Sequence, residues 1–472
     1  MRGELLLGVD VGSTSIKVQA VDAGGVRRSL VSAPTPWTGP AGARHAEADA
    51  LLGIVLRQMR MAKDQAGGGR IAGIGLTGFA ESGVMIDAAG TALTPVLPWY
   101  DLNGDDIIAD LAGGIGHRTF SGVTGLAVNH KPSIMKFRWF ARNCAEPRRW
   151  ARWLSVEEWI AYALTGEQAT EMSLASRTGL FDVLKATEAE DVLDSLDLPR
   201  GLLAPLVHAG ERVGTVTGAH PSLDRAAVTI AGMDHLAASV GLGATGAGDM
   251  IDSCGTGESI IRRLGAGNLT REQVADAVDA EIAIGRDVLP DSLQGMCSLR
   301  SGIGLWRFMK LLGLGESDLD HLDEEAFDLV LGPDDPHVDE IWLERATLTN
   351  IGYEPRPAMV WRAAVECIGR RAAELADRLD ALAGPRTQLV LTGGGLRTRT
   401  MRKVRADHMG PYHIPEVDEA TSRGAAELAA VAAGLRPAFE LNPRPSPGAA
   451  PGAEVGVEAG TESDDAVFSA PH

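Results

Sequence analysis

Three places in this 472-residue chain set a carboxylate or a glycine run at the end of an apolar stretch. The first is Gly8-Val9-Asp10-Val11-Gly12-Ser13-Thr14-Ser15, which puts Asp10 at the end of a buried strand and then offers hydroxyls and unencumbered backbone N–H groups in a turn. Phosphate oxygens suit such a turn, and Asp10 is placed to hold an accompanying Mg²⁺. A β-hairpin whose Gly and Ser residues merely satisfy turn geometry is the other reading of the same residues. The second place is an apolar run, Ala226 to Ala231, ending in Gly232-Met233-Asp234 ahead of a helix from about His235. In the third, Gln388 to Leu391 runs into Gly393-Gly394-Gly395 and a helix, an order that suits a nucleotide. GxxxxGK[ST] is absent, which disfavours a P-loop NTPase. The one GxGxxG, at Gly241, Gly243 and Gly246, follows a helical stretch rather than a strand and is read as chance.

The elements that must position these residues are legible from periodicity. Leu5–Val9 and the alternating Ile16–Val21 read as two strands joined by the Gly12–Ser15 turn, and the pattern recurs as Ile71–Leu76, small residues Thr77–Gly83, then Val84–Asp87. Asp105–Leu111 predicts a short helix, and Ser155–Leu164 a helix capped by Ser155. Val365, Ile368, Ala372, Leu375 and Leu379 recur at three and four residues, giving an amphipathic helix stopped by Gly384-Pro385. Further helices are expected up to Gly410 and from about Thr421 to Gly434, and the Pro-, Gly-, Ala- and acid-rich stretch from Phe439 reads as disordered.

Composition bounds the function. With 44 basic against 63 acidic residues, the net charge of −19 repels phosphate backbones and anionic lipids, so neither nucleic acid nor a membrane is expected as partner. Hydrophobic content of 45% with 23% charged residues excludes wholesale disorder and a coiled coil. Cys144, Cys254, Cys297 and Cys367 are widely separated, which points away from a disulfide framework or a structural zinc and toward a reducing, cytoplasmic setting. The apolar run ending at Asp10 is too short for a signal-peptide core, and no 18 apolar residues run uninterrupted, so neither export nor membrane spanning is expected.

Eight motifs in order, GVDVGSTSIK (8–17), GLTGFAESGVMID (75–87), PWYD (98–101), KFRWF (136–140), LTGE with ASRTGLFDV (164–167, 175–183), AGMDHLAASVG (231–241), CGTGES (254–259) and LTGGG (391–395), make the chain resemble the FGGY carbohydrate kinases over about residues 4–435. The resemblance implies an α/β architecture of two actin-like ATPase (ribonuclease H-like) domains, mixed sheets flanked by helices, with the active site in the interdomain cleft. The expected division is 1–245, with the first phosphate loop, substrate site and catalytic Asp; 246–436, with the second phosphate loop and adenosine site; and a tail, 437–472. It implies Asp234 as general base, Asp10 as the Mg²⁺-linked aspartate, and Ser13, Thr14 and Lys17 in the first phosphate loop. Gly255 and Thr256 match the second phosphate loop, and Gly394 and Gly395 the glycines against the α-phosphate and adenosine. A helix N-cap is the plainer role for Asp234, and both roles are compatible.

The substrate pocket departs from the resemblance. Glu81 matches a substrate glutamate of glycerol kinase, yet Ala80 replaces the arginine beside it, while xylulokinases carry Met-His there. Lys131 falls where glycerol kinase has a substrate tyrosine, and His235 replaces a Gln or Asn; with Glu81, Asp101 and Asp234 they make the expected substrate set, Lys131 having a solvated surface position as its alternative. The expectation is an ATP- and Mg²⁺-dependent transferase phosphorylating a hydroxyl of a sugar, polyol or sugar acid in carbohydrate metabolism, with a homodimer as the expected assembly. From another class, the same fold serves as an ATP-driven switch or assembly protein without a sugar acceptor; Asp234 discriminates, because a switch has no use for a base aimed at a sugar hydroxyl.

Overall fold

The strand expected at Leu5–Val9 extends as β1 (Glu4–Val11), and the turn after it returns the chain antiparallel as β2 (Ser15–Asp22), with Asp10 opposite Lys17. This computed structural model describes residues 3–437 except 41, 101–104, 219, 224, 266–268 and 353–355. The expected tail from 439 onward therefore lies outside the described residues, as does Asp101. β3 (Arg27–Pro34) pairs with β2, helix α1 (Ala48–Gln65) covers β2 and β3, and β4 (Arg70–Gly78) joins β1 in parallel. Strand Ala227–Met233 lies parallel on the far side of β4, and Gly214–Thr215 completes a six-stranded mixed sheet. Three parallel strands thus end side by side: Val11 pairs with Gly78, and Gly78 with Met233. Loops leaving those strand ends carry the residues of interest.

Helix Ala420–Ala432 packs on β1, β4 and helix Asp234–Gly241. Glycine is required beneath it: a Cβ on Gly8 would lie 1.7 Å from the Ser422 carbonyl oxygen, and one on Gly75 2.0 Å from that of Ala425. Gly8 and Gly75 are register partners, so together they floor a groove in the sheet into which the helix backbone settles. The first unit accordingly draws its described residues from Met1–Thr245, Leu264–Gly295 and Val417–Leu441. It also holds an aromatic core in which Phe137 lies 5.1 Å from Trp153 and 5.4 Å from Trp150, with Met85, Ile134, Ala175 and Leu180 packed into the same cluster.

The second unit comprises Gly246–Arg263 and Met296–Glu416 among the described residues. Here Asp249–Ser253 runs antiparallel to Glu258–Gly265 and parallel to Gln388–Thr392. The apolar repeat read from the sequence is the buried face of a 27-residue helix, Pro357–Ala383, which begins on Pro357 and ends at Gly384. Helix Arg399–Met409 buries Arg405, whose guanidinium lies 2.7 Å from Glu258 and 3.2 Å from Asp252, all three side chains being fully enclosed. Asp252, Cys254 and Glu258 bring ligand atoms within 4.8 Å of one another, but Arg405 already supplies the compensating positive charge there.

Candidate active site

At the shared strand edge of the first unit, Asp10 has one carboxylate oxygen, Oδ1, enclosed without a hydrogen-bond partner among the described residues. Burial pushes this carboxyl well above the usual range; the charges of Asp234 and Glu419 push the same way, and Lys17 opposes them. Asp234 is the first residue of helix Asp234–Gly241, directly after Met233. Its Oδ1 accepts from the backbone N–H of His235 at 2.7 Å, and the side chain remains 29% exposed. A carboxylate offers about four acceptor sites, so this bond leaves most of its capacity open. The Thr77 hydroxyl donates to the Gly232 carbonyl at 2.7 Å, tying β4 to the strand that delivers Asp234.

Glu157, not singled out from the sequence, closes the back of this edge. It sits in the first turn of helix Val156–Thr165, fully buried, and neither carboxylate oxygen takes a hydrogen bond from another described residue. Its Oε1 fills the space above Gly78, where a Cβ would come within 2.3 Å of it. Burial holds the Glu157 carboxyl well above its usual range, with Glu158, Asp234 and Asp10 adding repulsion. Paired acids in a first helical turn ordinarily read as solvated residues complementing the helix dipole, which is why the pattern gave no signal.

The turn between β1 and β2 is held from behind. Thr35 Oγ1 donates to the Gly12 carbonyl at 2.6 Å, Trp37 Nε1 to that of Ser13 at 2.6 Å, and Thr35 N–H to that of Thr14 at 3.0 Å. With three carbonyls engaged, hydroxyls and N–H groups are what Ser13 and Thr14 have left to present. Lys17 makes an ion pair with Glu419 at 2.8 Å, an acid in left-handed backbone (φ 55°) at the start of helix Ala420–Ala432. Glu419 was not legible as part of the site, since it lies 402 residues from Lys17.

In the second unit, the Cys254–Gly257 loop is built alike. Ser301 Oγ donates to the Gly255 carbonyl at 3.4 Å and Ile303 N–H to that of Thr256 at 3.1 Å. Gly395 N–H donates to Cys254 O at 2.8 Å, bringing the Gly393–Gly395 run against that loop. Gly393 has φ 100°, and a Cβ on it would lie 2.6 Å from Cys254 O, so both the turn and the approach demand glycine. Gly255, Thr256, Gly394 and Gly395 therefore belong to one neighbourhood.

Of the expected substrate residues, Glu81 leaves the end of β4 in left-handed backbone (φ 64°) and is ion-paired with Arg177, whose Nε donates to Glu81 Oε1 at 2.8 Å and whose Nη2 donates to the same oxygen. Lys131 stands with its ammonium 5.8 Å from the centre of the Trp99 ring, and His235 is part-exposed beside Asp234, its Nε2 4.0 Å from Asp234 Oδ1. Gly241 of the chance GxGxxG is a packing glycine, since a Cβ there would lie 2.1 Å from Ala420 O.

The N-terminal domain of the FGGY family of carbohydrate kinases matches residues 5–241, and the family's C-terminal domain matches residues 333–433. The chain is similar to a glycerol kinase from Bordetella parapertussis, 27% identical over 459 residues, spanning 92% of this chain and 89% of that one. It is also similar to L-fuculokinase from Escherichia coli K12, at 24% identity over 445 residues, 90% of this chain and 92% of the other. In fold it is similar to the crystal structure of xylulose kinase from Rhodospirillum rubrum, with a TM-score of 0.79 at 23% identity and 91% of each chain covered. The expected architecture, two actin-like domains built on mixed sheets with flanking helices, is that of these proteins. Among the described residues no helix is long and apolar enough to cross a membrane. With the N-terminal match alone spanning half its length and the C-terminal match following in order, this chain belongs to the FGGY family of carbohydrate kinases and is a carbohydrate kinase.

Proposed function

We propose that the protein transfers the γ-phosphoryl group of ATP to a hydroxyl of a sugar or polyol, with Asp234 as general base. One observation carries this reading: two carboxylates, Asp10 and Asp234, share one strand edge and repel each other, the first enclosed with an unpartnered oxygen, the second part-exposed with acceptor sites to spare. That asymmetry suits a division of labour. The acceptor class follows the relatives, whose names give glycerol and L-fuculose as substrates.

The donor set fits a magnesium ion. Asp10 Oδ1 is a hard oxygen ligand left without a partner among like charges, and a divalent cation would relieve both the desolvation and the repulsion there. Asp10 would hold the ion with Asp234 beside it, and the chemistry so supplied is neutralisation of charge on the phosphoryl oxygens. Ser13 and Thr14 would bind phosphate oxygens through hydroxyls and N–H groups that need not reorganise, since the turn's carbonyls are already fixed. Lys17 would act on that loop from its pair with Glu419. In the second unit, Gly255 and Thr256 would serve nucleotide phosphates by the same construction, and Gly394 and Gly395 would lie against the nucleotide. Phosphoryl transfer needs little covalent chemistry from a protein, so positioning and one proton acceptor suffice. Asp234 would orient the acceptor hydroxyl and take its proton as the new P–O bond forms.

ADP release by the purified protein, measured over a panel of polyols, ketoses, aldoses and sugar acids, tests this. Acceptor-dependent release on a sugar or polyol is the expected result. ATP hydrolysis indifferent to every acceptor would sink the proposal and favour the ATP-driven switch.

A further inference from the structure

Arg177 lies in the ASRTGLFDV stretch (175–183), where the motif by itself gives it no role. Its side chain is 6% exposed and that of Glu81 11%. Nε and Nη2 both go to a single oxygen, Glu81 Oε1, while Nη1 is buried with no hydrogen-bond partner among the described residues. Among the described residues Glu81 Oε2 likewise takes no hydrogen bond from a neighbour. Leaving a buried guanidinium N–H without a partner is unfavourable, so a fold that keeps one has a ligand for it or bears that cost.

The pair is held rather than loosely collapsed. Glu81 occupies left-handed backbone, unusual outside glycine, and such strain persists where surrounding structure over-determines it. Ala175 and Leu180, on either side of Arg177, share one buried cluster with Met85, four residues after Glu81. The segments carrying Glu81 and Arg177 adjoin the strand edge that presents Asp234: Gly78, three residues before Glu81, pairs with Met233, and Ser173, four residues before Arg177, accepts the Met233 N–H at 3.0 Å. Ala80, next to Glu81, carries no side-chain donor, and the guanidinium paired with Glu81 comes from 96 residues away.

We propose that Arg177 is a specificity-determining residue of the acceptor site, which with Glu81 reads two neighbouring hydroxyls of a neutral polyol or sugar. Nη1 donates to one acceptor oxygen, and Glu81 Oε2 accepts the proton of the adjacent hydroxyl. Because the pair is internally neutral, it offers complementary donor and acceptor positions without net charge. An acceptor carboxylate at the same place meets the Glu81 charge, so sugar acids are disfavoured against the corresponding neutral compounds.

This rests on the acceptor-kinase reading, and the experiment separates the two. The wild-type protein is first assayed on the acceptor panel, and its best neutral acceptor is compared with single-deoxy analogues lacking one hydroxyl of the vicinal pair and with the corresponding sugar acid. R177Q, and the double variant E81Q/R177Q that leaves no unpaired buried charge, are then compared at equal foldedness by circular dichroism. We expect the acceptor KM to rise by roughly 10- to 100-fold with the ATP KM within about twofold, and the preference for the diol over its deoxy analogues to collapse. An acceptor KM within about twofold of wild type in the folded double variant overturns the inference while leaving the kinase intact. Wild-type preference for the sugar acid overturns it as well. No acceptor-dependent activity in the wild type overturns the kinase reading, and this inference with it.

Discussion

At the residue scale, the chemistry depends on Asp234 keeping acceptor capacity that its local structure does not consume. A helix-capping aspartate typically accepts from an N–H two or three residues on, whereas among the described residues Asp234 accepts from the next residue only, and Met233 holds the cap position. D234N keeps volume and one acceptor oxygen but cannot take a proton. Turnover is expected to fall roughly 100- to 10,000-fold with ATP affinity, checked by calorimetry, little changed. A near wild-type rate in a folded D234N protein would reduce Asp234 to a structural role. D10N should instead shift the Mg²⁺ concentration needed for half-maximal rate upward; an unchanged titration removes Asp10 from the metal site. Asp10 and Asp234 were readable because each sits at the end of an apolar strand beside small residues. The roles of Arg177 and Glu419 were not, since each acts through a partner set by tertiary packing, across separations of 96 and 402 residues, and Glu157 was not because acids in a first helical turn read as solvated.

At the scale of elements, periodicity found β1, β2, β4 and helix Pro357–Ala383 but neither β3 nor α1, nor what packs on the strands it found. Gly8 in β1 and Gly73 and Gly75 in β4 read as weak strand propensity, and the helix settled against their backbone explains them. Gly75→Ala should cost at least about 1–3 kcal/mol in denaturant unfolding, because the obstructing atom is a backbone carbonyl that has nowhere to go. Gly53, inside α1 with open space where its Cβ would stand, gives the opposite sign: Gly53→Ala should stabilise by about 0.5–1 kcal/mol. Helix Val156–Thr165 carries a pH dependence of its own. Burial raises Glu158 to about 8 and Glu171 to about 7, against the pull of the backbone N–H groups that each accepts. A carboxyl with a raised pKa in the folded state binds more protons folded than unfolded. Its contribution is whole below the unfolded value near 4.5 and is lost as pH rises through about 7 to 8. Melting temperature should therefore fall from pH 5.5 to 8.5, and the gap between wild type and E158Q should narrow over that window. A constant gap would mean that Glu158 is ionised throughout.

At the scale of the whole molecule, the order of residues along the chain and the order of packing diverge. The expected division falls near residue 245; within the first unit, helix Arg271–Asp279 packs on helix His117–Thr124 and helix Ala420–Ala432 on β1 and β4. The sequence cannot show this, because helix Ala420–Ala432 is rich in alanine and carries no mark of the sheet it covers. Its consequence is physical. Leu6, Val21 and Ala72 are buried in a cluster completed by Ala426, Ala429 and Ala430 of that helix, and the glycine-floored groove between β1 and β4 has no other cover among the described residues. A chain ending at Glu416 loses the helix and, with it, Glu419, the partner of Lys17. It should expose apolar surface, bind a hydrophobic dye, lose acceptor-dependent ADP release and melt with reduced cooperativity, whereas a chain ending after Pro437 keeps the helix and serves as the control. A synthetic peptide of residues 417–437 added to the shortened chain should restore part of the melting transition, since the groove it fits is set by strand register rather than by chain continuity. If the chain ending at Glu416 melts like the control without the peptide, this helix contributes nothing essential to the first unit, and the glycines beneath it would need another explanation.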